Sequence, residues 1–268
     1  MKVKQLFDDG NLTAAIAEAT QQVKARPADA AARTFLFELL CFAGELDRAE
    51  KQLEVIGHQD AQSEWAVTVY RNLLKAERAR RRLFADGLAP QFLLDPPDYV
   101  RLHLDAVNRL REDQPGEALS LLEHAEEARP AVAARVNGGS LGELRDCDDL
   151  FAPILEMMLL EDYIWLPYEQ IRELEVSRPE RPRDLVWAPA RVVLVDGTQR
   201  SGYLPALYHD SHQHADDQVR LGRKTDWLEL PGGPTLGQGL RTLLWGEEAL
   251  SLLDCRQIQV GAGEAISG

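Results

Sequence analysis

His209, His212 and His214, with Asp210, Asp216 and Asp217 beside them, form the densest grouping of possible metal ligands in the chain. Imidazole suits a borderline metal such as zinc, and carboxylate oxygens could complete a coordination shell. The spacing is not HExxH, in which two histidines share one helical face with a glutamate between them. The segment follows a strand-like run and is polar, so it reads as a solvated loop; a metal-dependent hydrolase built on His209, His212 and His214 is the catalytic alternative. A histidine acting as general base would also need a nucleophile and an orienting partner. Ser201 and Ser211 lie outside any GxSxG elbow, and Cys255 sits in Leu-Asp-Cys-Arg with no reactive motif around it. The glycine-rich run from Gly232 to Gly239 lacks the lysine and hydroxyl of a phosphate-binding loop and reads as a structural loop. These residues therefore lead to an expectation of no enzyme, no metal and no cofactor.

Charge narrows the partner classes. The formal net charge is -14, and both halves of the chain are acidic, which disfavours nucleic acid and anionic membranes as partners. The local exception, Arg78 with Arg80, Arg81 and Arg82, reads as a solvated helix face or a salt-bridging surface, with nucleic-acid binding the alternative. Cys41, Cys147 and Cys255 are far apart and odd in number, which suits a reducing cytoplasm. No apolar run reaches the roughly 18 residues needed to cross a membrane, and the N-terminal segment does not resemble a cleaved signal.

The front of the chain must position whatever the protein uses. Its apolar residues recur at helical spacing, as in Trp65, Val69, Leu73 and Ala76, over one amphipathic helix from Gln62 to Asp86 or two meeting near Ala79. Gly87, Pro90, Pro96 and Pro97 interrupt the pattern, and a further helical pair follows from Tyr99 to Arg111 and from Gly116 to Ala128. Gly10-Asn11-Leu12 with Ala15 recurs 34 residues later as Gly44-Glu45-Leu46 with Ala49, and a weaker copy carries Gly116-Glu117-Ala118. Pro27 and Pro130 fall at matching distances after Ala15 and Ala118. This period, with glycine at a tight turn and alanine at a close helix crossing, predicts tetratricopeptide-like hairpins, a generic helical bundle being the alternative.

From Leu150 the texture becomes that of a sheet. Tyr163 to Tyr168 and Arg191 to Val195 are aromatic or β-branched runs, and Asp196-Gly197 predicts a hairpin returning through Arg200 to Tyr208. Arg241 to Trp245 and Ile258 to Val260 supply later strands. The chain is thus expected to be α+β: a TPR-like all-α helical-repeat domain over 1–135, a glycine-bearing linker over 136–149, and a small β-rich barrel-like or curled-sheet domain over 150–268.

Several ordered fragments give this pattern a family resemblance: Trp165-Leu166-Pro167-Tyr168-Glu169-Gln170-Ile171, Pro182-Arg183-Asp184-Leu185-Val186-Trp187-Ala188-Pro189-Ala190, Leu204-Pro205-Ala206-Leu207-Tyr208, Thr225-Asp226-Trp227, and Gly237 to Gly246. Together with the helical front half, they resemble the ImpE/TagJ family, also called SciE-type, of bacterial type VI secretion accessory proteins. The resemblance implies a non-enzymatic cytoplasmic adaptor that binds the N-terminal helix of the small contractile-sheath subunit and links the sheath to its recycling AAA+ ATPase. It carries no catalytic residues. By helix face, Thr34, Glu38, Cys41 and Phe42 are the candidate groove residues, with the repeat core the competing place for Cys41 and Phe42. A generic helical-repeat scaffold for another partner is the alternative function.

Overall fold

The computed structural model describes residues 2–59 and 64–261. Seven helices come first: α1 (Lys2–Asp8), α2 (Leu12–Ala25), α3 (Ala30–Phe42), α4 (Leu46–Gln59), α5 (Glu64–Asp86), α6 (Tyr99–Arg111) and α7 (Pro115–Ala128). Helices α2 to α5 pack in sequence, and α6 and α7 form a further antiparallel pair. The repeat signature is physical. Ala15, Ala49 and Ala118 are all fully buried, where a larger side chain would hold neighbouring helices apart. Gly10 and Gly44 have φ of 81° and 71°, the left-handed turn that glycine adopts without strain. In the third hairpin that conformation belongs to Asp113, at φ 57°, five residues before Ala118. Gly116, read from sequence as the third turn glycine, lies inside α7. Aspartate tolerates the left-handed region, so the repeat survives where the glycine spelling does not.

Helix α5 is a single helix through Ala79; Gln62 and Ser63, at the start of the expected helix, lie outside the described residues. Asp29 caps α3 by accepting from the Ala32 amide at 3.0 Å.

The strands are β1 (Ala133–Val136), β2 (Leu141–Asp146), β3 (Ile154–Leu159), β4 (Asp162–Pro167), β5 (Ile171–Val176), β6 (Trp187–Leu194), β7 (Gln199–Pro205), β8 (Thr225–Glu229), β9 (Thr235–Gly239), β10 (Thr242–Trp245), β11 (Glu248–Ser251) and β12 (Gln257–Val260), with the short helix α8 (Asp217–Arg220) before β8. Ten form one antiparallel curled sheet, in the order β11-β10-β2-β1-β12-β5-β6-β7-β3-β4; β8 and β9 pair apart from it. The expected hairpin at Asp196-Gly197 joins β6 and β7. Segment 136–149, read as a linker, instead carries the end of β1 and all of β2, and β2 pairs with both β1 and β10. Gly138 and Gly139 lie in the β1–β2 turn, and Gly142 lies within β2. The sheet wraps an apolar interior of residues such as Leu166, Tyr168, Leu174, Val192 and Leu204. A separate apolar cluster containing Leu83, Val107, Phe151 and Trp165 joins helices to sheet.

Candidate functional site

The back of α5 lies on β3 and β4, and charge crosses that contact inside the protein. Arg80 of α5 donates from Nε and Nη2 to the two carboxylate oxygens of Glu156 on β3, at 2.7 and 2.9 Å, and from Nη2 to the Leu207 carbonyl at 3.0 Å. Arg241, before β10, donates to the same Glu156 and, at 2.7 Å, to Asp146 at the end of β2. Tyr163 donates to Glu156, and Tyr208 donates to Asp146 at 2.6 Å. All four charged residues are buried. Burial alone pushes Glu156 up, but Arg80 and Arg241 outweigh it and hold the carboxyl below its usual range. Asp146 is raised, because burial wins there against Arg241.

The basic cluster is thus divided around its helix. Arg80 is interior, contrary to the solvated face expected from sequence, because a charged side chain opposite Glu156 can be buried when it is matched. Arg78 pairs with Asp47 and Glu50, Arg81 donates to the Gly44 carbonyl, and Arg82 pairs with Asp86.

The three histidines also have separate partners. His209 stacks on Phe84, with centroids 3.7 Å apart, and its Nε2 lies 3.3 Å from Asp210. His212 sits against Gly44 and Arg81; burial and then the Arg81 charge lower it to about 4. His214 accepts from the Asp216 amide through Nδ1 and meets Asp226 through Nε2. Among the described residues, no group of three or more histidine, cysteine, aspartate or glutamate side chains is arranged to hold a metal. Ser211 is buried, donates to the Tyr208 carbonyl and accepts from the Gly239 amide. Cys255 is buried against the Ser251 carbonyl, and Ser201 is an exposed residue of β7.

Of the candidate groove residues, Thr34 is half-buried, its hydroxyl turned back to the Ala30 carbonyl. Glu38, Cys41 and Phe42 are buried, because segment 181–187 of the chain's own second half covers this face of α3. Arg183 reaches Glu38 at 3.4 Å and lays its guanidinium over the Tyr70 ring at 4.2 Å. Glu38 still borders an opening of about 520 Å³ walled by Phe7, Phe35, Pro182 and Leu185. Burial pushes it up to about 7, with Arg183 and Arg181 pulling part of the way back. Phe42 packs on Phe7 with centroids 5.9 Å apart.

A second opening, of about 430 Å³, lies between α5 and the outer face of β6 and β7. Trp65 and Leu160 border it, and both are 77% exposed. The helical stripe marks Trp65 as apolar-face, yet no part of the described chain covers it. Leu160 carries no sequence signal of its own; its place in the β3–β4 turn brings it there. Trp187 and Tyr208 are buried, so both serve packing.

A family model described as "ImpE protein" matches residues 138–259, and one for the tetratricopeptide repeat matches residues 6–72. The chain is 37% identical to the type VI secretion system accessory component TagJ of Pseudomonas aeruginosa, over 96% of this chain and 90% of that protein. The chain belongs to the ImpE family. This ImpE chain also superposes on the crystal structure of a Vibrio parahaemolyticus protein with a TM-score of 0.91, at 26% identity and 99% coverage of each chain. The ImpE match spans β2 to β12, and the tetratricopeptide match ends inside α5 at residue 72. Arg80, which joins the helices to the sheet, lies between the two matched segments. Among the described residues of this ImpE chain, no helix is long and apolar enough to cross a membrane.

Proposed function

We propose that this chain is a non-enzymatic adaptor of a type VI secretion system, docking the N-terminal helix of the small sheath subunit and linking the sheath to its recycling ATPase. The observation that carries the reading is how the buried charge is used. Arg80, Arg241, Glu156 and Asp146 face one another and fasten the helical repeats to the sheet, which makes a stiff platform rather than a reactive centre. A helical-repeat surface recognises partner segments by shape and apolar burial. The 37% identity to a type VI secretion accessory component along nearly the whole chain supplies the cellular system, and the cytoplasm is where sheath and ATPase would be met.

Calorimetric titration of the full chain with a synthetic peptide of the sheath small subunit's N-terminal helix tests the docking step. Saturable binding that a scrambled peptide of equal charge does not reproduce is the expected result; no binding by a demonstrably folded chain overturns it. Co-sedimentation of the ATPase with the sheath peptide's carrier protein, with and without this chain, tests the link.

A further inference from the structure

The geometry points to a binding site in the opening bounded by α1, α3 and segment 179–185, which takes a primary ammonium on an aliphatic stem with the Glu38 carboxylate as its acceptor. The adaptor reading does not require this site, so the two stand or fall separately. The opening has a volume of about 520 Å³, within the range of small-ligand sites.

Glu38 is the one buried charged residue of its lining, with a side chain 7% exposed. Arg183 reaches only its Oε1, at 3.4 Å, while the guanidinium lies over Tyr70 and its Nε is buried without a partner. No described residue donates to Glu38 Oε2. The same chain shows what a matched buried carboxylate looks like. Glu156 takes two bonds from Arg80, at 2.7 and 2.9 Å, and is held below its usual range. Glu38 has no such fork, and burial raises it to about 7. A buried carboxylate with an unused oxygen beside an opening is short of one cation.

The lining selects the ligand. At the rim, Asp8 and Glu180 are balanced by Lys4 and Arg181, all exposed, and Lys4 already pairs with Asp8 at 2.6 Å. The sign of the ligand's charge is therefore set by Glu38. An anion would meet a carboxylate, and a neutral donor would leave its charge unmatched. The head group follows from having one free oxygen. A guanidinium gains most by gripping both oxygens of a carboxylate, and Oε1 is taken by Arg183. An ammonium is a point charge that needs one acceptor and turns its other donors to water. Phe7, Phe35, Pro182 and Leu185 call for an apolar stem; the two rings meet edge to face at 5.8 Å. The wall opposite α3 is held in place without a ligand, because Asp184 accepts from the Glu180 and Arg181 amides and two prolines fix their own φ.

NMR titration of the full chain at neutral pH with hexylamine, hexanol and hexanoate tests the site. Saturable shifts at Phe7, Phe35 and Glu38 with hexylamine, at least about tenfold tighter than with the alcohol or the acid, are the expected result. Glu38→Gln keeps the side-chain size and should lose that preference for the amine, whereas Glu180→Gln at the rim should change affinity by less than about twofold. Equal binding of amine and alcohol, a preference that survives Glu38→Gln, or no saturable shift at these residues overturns the site. A capped pentapeptide with a central lysine separates the two carriers of this chemistry. Tighter binding of the peptide assigns the site to a lysine side chain of a protein partner, and tighter binding of hexylamine assigns it to a free amine.

Discussion

Arg80 and Glu156 meet through two hydrogen bonds, at 2.7 and 2.9 Å, across the junction of helix and sheet. They are 76 residues apart in the chain, and both are buried. Arg241 donates to the same carboxylate from the segment before β10. One carboxylate thus holds α5, the β3–β4 hairpin and the segment leading to β10 in one arrangement. The same arrangement sets the spacing between Trp65 on α5 and Leu160 at the tip of that hairpin.

Removing Glu156 leaves two guanidinium groups facing each other without their shared counter-charge. Glu156→Ala should destabilise the fold by about 3–5 kcal/mol, the usual consequence of stripping one partner from a buried ion pair. Urea unfolding followed by tryptophan fluorescence measures it. A loss under about 1 kcal/mol would mean that water or relaxation compensates and that the junction is not held by charge.

Phe42 distinguishes packing from docking on α3. It is fully buried and packs on Phe7, so Phe42→Ala should cost about 3–5 kcal/mol of stability. Peptide affinity at a temperature where the variant remains folded should match the parent. Intact stability with lost affinity would restore Phe42 to a binding role.

The helical repeats were legible because their cause is local: glycine for a left-handed turn and alanine for a close crossing leave a mark at fixed spacing. The hairpin at Asp196-Gly197 was legible for the same reason. Strands β1 and β2 were not: each is short, and besides pairing with each other they are set in the sheet by β12 and β10 from far along the chain, where Ala134 pairs with Val260 and Arg145 with Leu244. Glu156 was hidden by its context, a carboxylate inside Ile-Leu-Glu-Met-Met-Leu whose partners arrive from α5 and from beyond β9. For Trp65, periodicity gives the face of the helix but not whether anything covers it. The glycine-rich segment was read as a loop, and Thr235 to Gly239 is a strand.

Gly237 in that strand has a specific steric reason. A Cβ there would lie 2.3 Å from the Tyr208 ring, and Tyr208 is buried with its hydroxyl donating to Asp146. Gly237→Ala should destabilise by about 1–3 kcal/mol through overpacking, read as a lowered urea midpoint with an unchanged denaturant slope. Parent-like stability would show that the ring can move aside without losing its bond.

Glu38 should make stability depend on pH in an unusual direction for a carboxylate. Burial raises it to about 7 from an ordinary 4.5, against partial opposition from Arg183 and Arg181. Below about pH 4.5 the carboxyl is protonated in folded and unfolded chains alike and contributes nothing to the difference. Between about 4.5 and 7 the unfolded chain releases this proton while the folded chain keeps it, so rising pH favours unfolding. At about 1.4 kcal/mol per unit, ionising Glu38 inside the fold costs about 3 kcal/mol by neutral pH. Glu38→Gln has no proton to release. Its stability relative to the parent should therefore climb from pH 5 to pH 7 and then level off, as measured by urea midpoints at fixed ionic strength. Comparing variant with parent cancels the buried His103 and the half-buried His212, both lowered to about 4, whose neutral forms add stability as pH rises from about 4 to 6.5. A variant-to-parent difference that stays flat across this window would show that Glu38 is solvated through the opening beside Phe35, or fully matched by Arg183, and the climb would be absent for that reason.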